Sequence, residues 1–137
     1  MPKEPTLIAI IDDEESVRKA LARLLHSVGM KAETFSGGGE FLEALGTHRP
    51  ACAVLDLHMP GMNGFELLER LNSPSVRVPV VVITGHDTPE AEERALRGGA
   101  AAYLRKPINQ ALLLDAINSA IARGGKRESE NRKARQD

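Results

Sequence analysis

Five polar side chains in this 137-residue chain follow short runs of apolar residues. Asp12 and Asp13 come after the first run, Asp56 after a second, Thr84 after a third, and Lys106 closely after a fourth. Three carboxylates held close together repel one another, so at least one would have a raised pKa unless a cation joined them. Oxygen ligands of this kind suit Mg²⁺. These residues could therefore bind a divalent cation and, with it, an anion such as phosphate.

The same residues can support phosphoryl transfer. An aspartate oxygen in line with a metal-bound phosphoryl group is a competent nucleophile, and its attack gives an aspartyl phosphate. Lys106 would supply a fixed positive charge, and the Thr84 hydroxyl could donate a hydrogen bond to a phosphoryl oxygen. Simpler roles remain open for each residue. Asp12 and Asp13 could only cap the helix that follows, and Asp56, Thr84 and Lys106 could be ordinary turn, strand-end and surface residues.

Five predicted strands position these side chains. Four apolar runs are continuous, which is typical of strands buried on both faces of a parallel sheet. These runs are Leu7–Ile11, Ala51–Leu55, Val78–Ile83 and Ala100–Leu104. A weaker run, Lys31–Phe35, alternates polar and apolar residues and indicates an edge strand.

A helical pattern follows each predicted strand, and strands that alternate with helices indicate parallel pairing with right-handed crossovers. The predicted helices cover Val17 to Val28, Phe41 to Leu45, Phe65 to Leu71 after an Asn63 cap, Pro89 to about Gly98 after a Thr88 cap, and Leu113 to Ile121, ended by Gly124. We therefore predict an α/β fold, a doubly wound (βα)5 sandwich of flavodoxin-like topology. Its five-stranded parallel sheet has the order 2-1-3-4-5, with helices on both faces. In that topology the five polar residues share one sheet edge, where ligands bind.

Composition excludes several classes of protein. Hydrophobic residues make up 42% and charged residues 27%, a globular balance. A net charge of −1, with one Tyr, three Phe and no Trp, argues against direct nucleic-acid binding. No apolar run approaches the ~18 residues of a membrane span, and the first residues lack a signal-peptide pattern. We expect a soluble cytoplasmic protein without membrane contact, in which Cys52 is a buried hydrophobe.

Four segments together resemble the receiver domain of bacterial two-component response regulators, over about residues 6–123. They are Ile11–Glu14, Val54–Gly64, Val82–His86 and Tyr103–Pro107. The resemblance implies a switch in which a sensor histidine kinase phosphorylates Asp56. Residues 1–5 would then be an N-terminal extension, and residues 124–137 a charged tail that is either disordered or a frayed helix.

The resemblance also implies a role for each site residue. Asp12, Asp13, Asp56 and the backbone carbonyl of His58 look like the Mg²⁺ ligands. Thr84 resembles the switch hydroxyl, Tyr103 stands at the position of the switch aromatic, and Lys106 resembles the lysine that pairs with the phosphoryl group. The Lys106–Pro107 bond resembles the family's cis peptide. His58 and His86 lie beside the site, where they could influence attack by water or be ordinary loop histidines.

The resemblance implies signalling rather than turnover of a separate substrate, with only self-phosphorylation and autodephosphorylation at Asp56. Phosphorylation would change the surface of the fourth helix, fifth strand and fifth helix. That surface would bind an output protein, a phosphotransfer protein or a second copy of the chain.

Three other interpretations compete with a stand-alone receiver. The chain could be the receiver fragment of a DNA-binding transcription regulator, because its motifs look most like receivers placed before helix-turn-helix domains. A phosphatase of the haloacid-dehalogenase type would need an Asp at the position of His58. A flavin-binding module would need a phosphate-binding loop where Asp12 and Asp13 stand.

Overall fold

A parallel sheet of five strands forms the middle layer of the molecule in a computed structural model. The structure describes the backbone of residues 5–136 and the side chains of residues 5–61 and 63–124. The strands are β1 (Leu7–Ile11), β2 (Lys31–Phe35), β3 (Cys52–Asp56), β4 (Val80–Thr84) and β5 (Ala102–Arg105). Their order is β2-β1-β3-β4-β5, and every neighbouring pair is parallel. The predicted fold class and strand order are confirmed.

Five helices cover the two faces of the sheet. They are α1 (Glu15–Ser27), α2 (Gly38–Ala44), α3 (Gly64–Leu71), α4 (Pro89–Arg97) and α5 (Gln110–Gln136). Alternate strand residues point to opposite faces. Ile10 and Val54 therefore pack with α1 and α5, whereas Ile11 and Leu55 pack with α2, α3 and α4. This burial on both sides explains why the central strands read as continuous apolar runs.

Predicted caps begin two helices beside the functional edge. The Asn63 side chain accepts a hydrogen bond from the Phe65 amide at 2.9 Å at the start of α3. Thr88 accepts one from the Ala91 amide at 3.0 Å at the start of α4. Each bond satisfies an amide that has no partner within its helix.

Several predicted boundaries are wrong. β4 begins at Val80 because the Val78 amide donates to the Leu71 carbonyl at 2.8 Å. β5 begins at Ala102 because the Ala100 amide instead donates to Ala95 at the end of α4. A short hairpin that the sequence did not predict, His58–Met59 paired with Met62–Asn63, follows β3.

The predicted end of the last helix at Gly124 is also wrong. α5 continues to Gln136, and Gly124 is not one of the glycines with positive φ that could end a helix. The predicted tail, residues 124–137, is therefore helical through Gln136, and Asp137 lies outside the described residues. Of the predicted extension, residues 1–5, only Pro5 is described. No described helix is both long enough and apolar enough to cross a membrane.

Candidate functional site

Three strands carry buried polar residues to the carboxyl edge of the sheet. Asp12 directly follows β1, Asp56 ends β3, and Thr84 ends β4. Asp12 and Thr84 are fully buried, and Asp56 is 3% exposed. These three are the buried polar residues of the described chain, and all lie at one edge. Since burying polar groups is costly without partners, their surroundings define the candidate site.

Asp12, Asp13 and Asp56 form an acidic cluster in which one carboxylate oxygen from each lies within 4.8 Å of the others. Asp12 Oδ1 accepts a hydrogen bond from the Glu14 amide at 2.9 Å. Asp12 Oδ2 is buried, and Lys106 Nζ lies 3.0 Å from it. Three carboxylate oxygens that converge in this way, one of them from a fully buried residue, suit a hard divalent cation.

Lys106 brings a positive charge into this cluster. Its Nζ lies 3.0 Å from Asp12 Oδ2, 3.2 Å from Glu14 Oε1 and 3.5 Å from Asp56 Oδ2. The Lys106 side chain is only 16% exposed, so these ion pairs are screened less than surface pairs. The Lys106–Pro107 peptide bond is cis. Glu14 belongs to the first motif segment, but its pairing with Lys106 was not predicted from the sequence.

The Asp56 carboxyl experiences opposing influences. Burial raises its pKa above the ordinary value and the Asp12 charge raises it further, whereas the His58 amide and Lys106 act to lower it. For Lys106, burial lowers the pKa, but hydrogen bonding to Asp12 and the charges of Asp56 and Asp12 outweigh that effect and raise it. Lys106 is therefore charged at neutral pH, and a cation beside Asp56 favours its ionised form.

His58 contacts Asp56 through its amide. The His58 N–H donates to Asp56 Oδ1 at 3.1 Å, which orients the carboxylate. The predicted use of the His58 carbonyl as a metal ligand stays a prediction. The rings of His58 and His86 pack edge to face with centroids 4.6 Å apart, beside Asp56 and Thr84.

The predicted switch pair makes contacts away from Asp56. Thr84 Oγ1 accepts a hydrogen bond from the His86 amide at 3.0 Å. Tyr103 Oη donates to Asp87 Oδ1 at 2.9 Å, a contact that was not predicted from the sequence. Within the described part of the chain, no hydrogen bond joins Thr84 to Asp56.

The arrangement combines an oriented carboxylate, a cation beside it and a cluster of oxygen ligands. These groups meet the requirements for capture of a phosphoryl group by Asp56. The structure brings together Asp12, Asp13, Asp56 and Lys106, whereas Tyr103 lies on the neighbouring α4–β5 surface.

Comparisons with known proteins indicate the family of this chain. A family model described as the response regulator receiver domain matches residues 8–118. Transcriptional regulatory protein FixJ of Azorhizobium caulinodans is 38% identical over 117 residues, which are 85% of this chain and 55% of that protein. Nodulation protein W of Bradyrhizobium diazoefficiens is 32% identical over 126 residues, which are 92% of this chain and 56% of that protein.

A solved structure of a response regulator receiver protein from Burkholderia phymatum is also similar. It is 42% identical, with a TM-score of 0.76, and the match covers 85% of this chain and 95% of that one. In contrast, the present chain spans little more than half the length of the two curated relatives.

Proposed function

The chain belongs to the receiver-domain family of response regulators, and from that premise we propose that it is a signalling switch controlled by phosphorylation of Asp56. Receiver domains are signalling domains rather than turnover enzymes. The single observation that carries the proposal is the environment of Asp56: a buried carboxylate inside an acidic cluster and 3.5 Å from Lys106.

The phosphoryl donor in this proposal is a phosphohistidine on a sensor histidine kinase in the cytoplasm. A carboxylate oxygen of Asp56 attacks phosphorus, the P–N bond breaks, and the imidazole leaves with the bonding electron pair. Two contacts prepare Asp56 for this step. The His58 amide holds Oδ1 at 3.1 Å, and Lys106 favours the ionised, nucleophilic form.

The Asp12, Asp13 and Asp56 carboxylates, with the His58 carbonyl, would hold Mg²⁺. The fit rests on the three converging carboxylate oxygens and on the full burial of Asp12, whose negative charge needs a cation beside it. When bound, the ion would offset the negative charge of the incoming phosphoryl oxygens. Lys106 would add a second positive charge next to them.

The response to phosphorylation would pass from Thr84 to the surface formed by α4, β5 and α5. The new anion would attract the Thr84 hydroxyl. Thr84 would then give up its present hydrogen bond with the His86 amide and bond to the phosphoryl group instead. Moving a population from mostly inactive to mostly active takes about 5.5 kcal/mol of differential binding. A hydrogen bond and an ion pair to the phosphoryl group, at about 2–3 kcal/mol each, supply most or all of this difference.

The partner at this surface would be an output protein, a phosphotransfer protein or a second copy of the chain. Two exposed apolar side chains support this, since Leu96 at the end of α4 and Leu112 in α5 are 48% and 56% exposed. A second candidate function, the receiver portion of a DNA-binding transcription regulator, is favoured by the half-length match to a relative named a transcriptional regulatory protein.

Mass spectrometry after incubation with acetyl phosphate and Mg²⁺ tests the proposal. The wild type should gain one phosphoryl group, a mass increase of about 80 Da. Asp56→Asn should gain none, whereas Asp115→Asn, which removes an exposed carboxylate of α5, should behave as the wild type. Full modification of Asp56→Asn, or none of the wild type, would exclude Asp56 as the acceptor.

A further inference from the structure

One carboxylate, that of Asp87, connects three elements next to the switch residues. Asp87 Oδ1 accepts the hydrogen bond from Tyr103 of β5 at 2.9 Å, while Oδ2 pairs with Arg105 Nε, also in β5. Arg105 Nη2 lies 3.6 Å from Glu92 Oε2 in α4. Asp87 therefore links the loop after β4 directly to β5 and, through Arg105, to α4.

The loop that carries Asp87 is also tied to Thr84. Thr84 Oγ1 accepts the His86 amide at 3.0 Å, so the turn that leads to Asp87 is closed by the hydroxyl that the proposed switch would move. A displacement of Thr84 toward Asp56 must change that hydrogen bond. Because Asp87 directly follows His86, we expect its contacts with Tyr103 and Arg105 to adjust as well.

The Asp87 carboxylate is less exposed than that of a typical surface ion pair, although its partner Arg105 is 66% exposed. Both of its oxygens have a partner, and its side chain is 31% exposed. The Lys19–Glu15 pair on α1, in contrast, has side chains that are 69% and 68% exposed. Tyr103 is partly buried and packs against the core under α2, α3 and α4. Burial, and then its hydrogen bond to Asp87, raise the pKa of Tyr103 to about 12.

We propose that Asp87 is a positioning residue of the switch, which holds Tyr103 and Arg105 in their unphosphorylated arrangement until the movement of Thr84 weakens that hold. The inference rests on the proposed function, because phosphorylation of Asp56 is what would draw Thr84 inward. It adds a residue outside the phosphoryl-binding cluster that sets how readily the α4–β5 surface rearranges.

Tyr103 offers a direct readout, because the chain has one tyrosine and no tryptophan. A hydrogen bond from a tyrosine hydroxyl to a carboxylate quenches the emission of the ring, so intrinsic fluorescence reports the Asp87 contact. The test compares wild type, Asp87→Asn and the control Glu90→Gln. Glu90 is an exposed carboxylate at the start of α4, close to Asp87 in the chain. Each protein is measured before and after acetyl phosphate with Mg²⁺, and mass spectrometry of the same samples gives the phosphorylated fraction.

We expect phosphorylation to raise the emission of the wild type and of Glu90→Gln. Before phosphorylation, the emission of Asp87→Asn should already exceed that of the wild type by at least roughly half of that rise. Phosphorylation of Asp87→Asn should then increase its emission by correspondingly less. Its phosphorylation should also be faster than that of the wild type, which a merely structural role would not produce.

The outcomes separate the two proposals. Phosphorylation of all three proteins, with Asp87→Asn indistinguishable from wild type in emission and rate, would overturn the role of Asp87 and leave the proposed function intact. Absence of phosphoryl addition to the wild type would overturn both. Circular dichroism of Asp87→Asn should match the wild type, because the substitution keeps the shape of a partly exposed side chain.

Discussion

Lys106 Nζ lies 3.0 Å from Asp12 Oδ2, a buried carboxylate oxygen. Asp12 is fully buried, so the positive charge of Lys106 compensates a carboxylate that water does not reach. The same ammonium group lies 3.5 Å from Asp56. Lys106 therefore stabilises the acidic cluster before phosphorylation and would bind the phosphoryl group afterwards.

Replacement of Lys106 should destabilise the protein in the absence of Mg²⁺. Lys106→Ala leaves the buried Asp12 carboxylate without its ion pair, and we expect a loss of about 3 kcal/mol in the free energy of unfolding. Added Mg²⁺ should recover much of that loss, because the ion would take over the compensation of charge. Urea unfolding with and without Mg²⁺ measures both values.

Lys19→Ala is the matched control for this experiment. Lys19 pairs with Glu15 at 2.9 Å, but both side chains are exposed, so its loss should cost less than about 0.5 kcal/mol. Mg²⁺ should not rescue Lys19→Ala selectively. Equal destabilisation of the two variants would contradict the compensating role of Lys106.

Removal of the Thr84 hydroxyl should separate phosphorylation from its response. Thr84→Val keeps the approximate size of a fully buried side chain and makes no change to the acidic cluster. We expect phosphoryl addition to Asp56 within about threefold of the wild-type rate, but most of the phosphorylation-dependent change in Tyr103 fluorescence should be lost. Thr47→Val, at an exposed position, provides the control. A full fluorescence response in Thr84→Val would remove the hydroxyl from the switch.

The sheet could be predicted from the sequence because each central strand is buried on both faces. Val78 and Ala100 extend two of these apolar runs, but their amides bond to Leu71 and Ala95 instead of joining the sheet. Hydrophobicity alone cannot distinguish a strand residue from an apolar residue in the adjoining turn. The predicted length of α5 was also wrong, because glycine type alone does not end a helix. Gly124 does not adopt the positive φ that commonly ends one, and the helix continues past it.

The acidic cluster and its lysine were also accessible from sequence, because parallel strands bring their carboxyl ends to one edge. The contacts of Glu14 and Asp87 could not be predicted from the sequence. Glu14 binds a lysine 92 residues away, and Asp87 binds a tyrosine 16 residues away. These contacts depend on the directions of individual side chains, which the alternation of strands and helices does not specify.

Cys52 should be inert in the native protein. It is fully buried, as predicted, and burial raises the pKa of its thiol to about 12, so the reactive thiolate is absent at pH 8. A thiol reagent should label Cys52 only after unfolding. Labelling of the native protein at the rate of a small free thiol would contradict this burial.

The raised pKa of the Cys52 thiol also predicts that the protein loses stability in alkaline solution. Above the ordinary pKa of 9.0, the thiol ionises in the unfolded chain while the native protein keeps its proton, so stability falls as the pH rises. The loss due to Cys52 should reach roughly 1.4 kcal/mol at pH 10, of which about 1 kcal/mol arises between pH 9 and pH 10. Cys52→Ala should show a smaller decline between pH 9 and pH 10, and an identical decline would refute the assignment.

Gly64 should tolerate no side chain, because it lies at the start of α3 against the backbone that follows Asp56. A Cβ at this position would lie 2.6 Å from the Leu57 carbonyl oxygen and 2.7 Å from Leu57 Cα. Backbone atoms cannot move aside as a flexible side chain can, so Gly64→Ala should displace the segment next to the phosphorylation site. We expect destabilisation of about 2 kcal/mol in urea unfolding, together with slower phosphorylation of Asp56 by acetyl phosphate.

Gly39→Ala in α2 is the control for Gly64→Ala. It tests whether the loss of stability comes from the contact between residue 64 and the Leu57 backbone. A Cβ on Gly39 meets no atom within 4 Å. Alanine should therefore be neutral or should stabilise the helix by up to about 1 kcal/mol. Phosphorylation of Gly39→Ala should proceed at the wild-type rate. If Gly64→Ala matched Gly39→Ala in both stability and phosphorylation rate, the approach of α3 to Leu57 would not hold Asp56 in place.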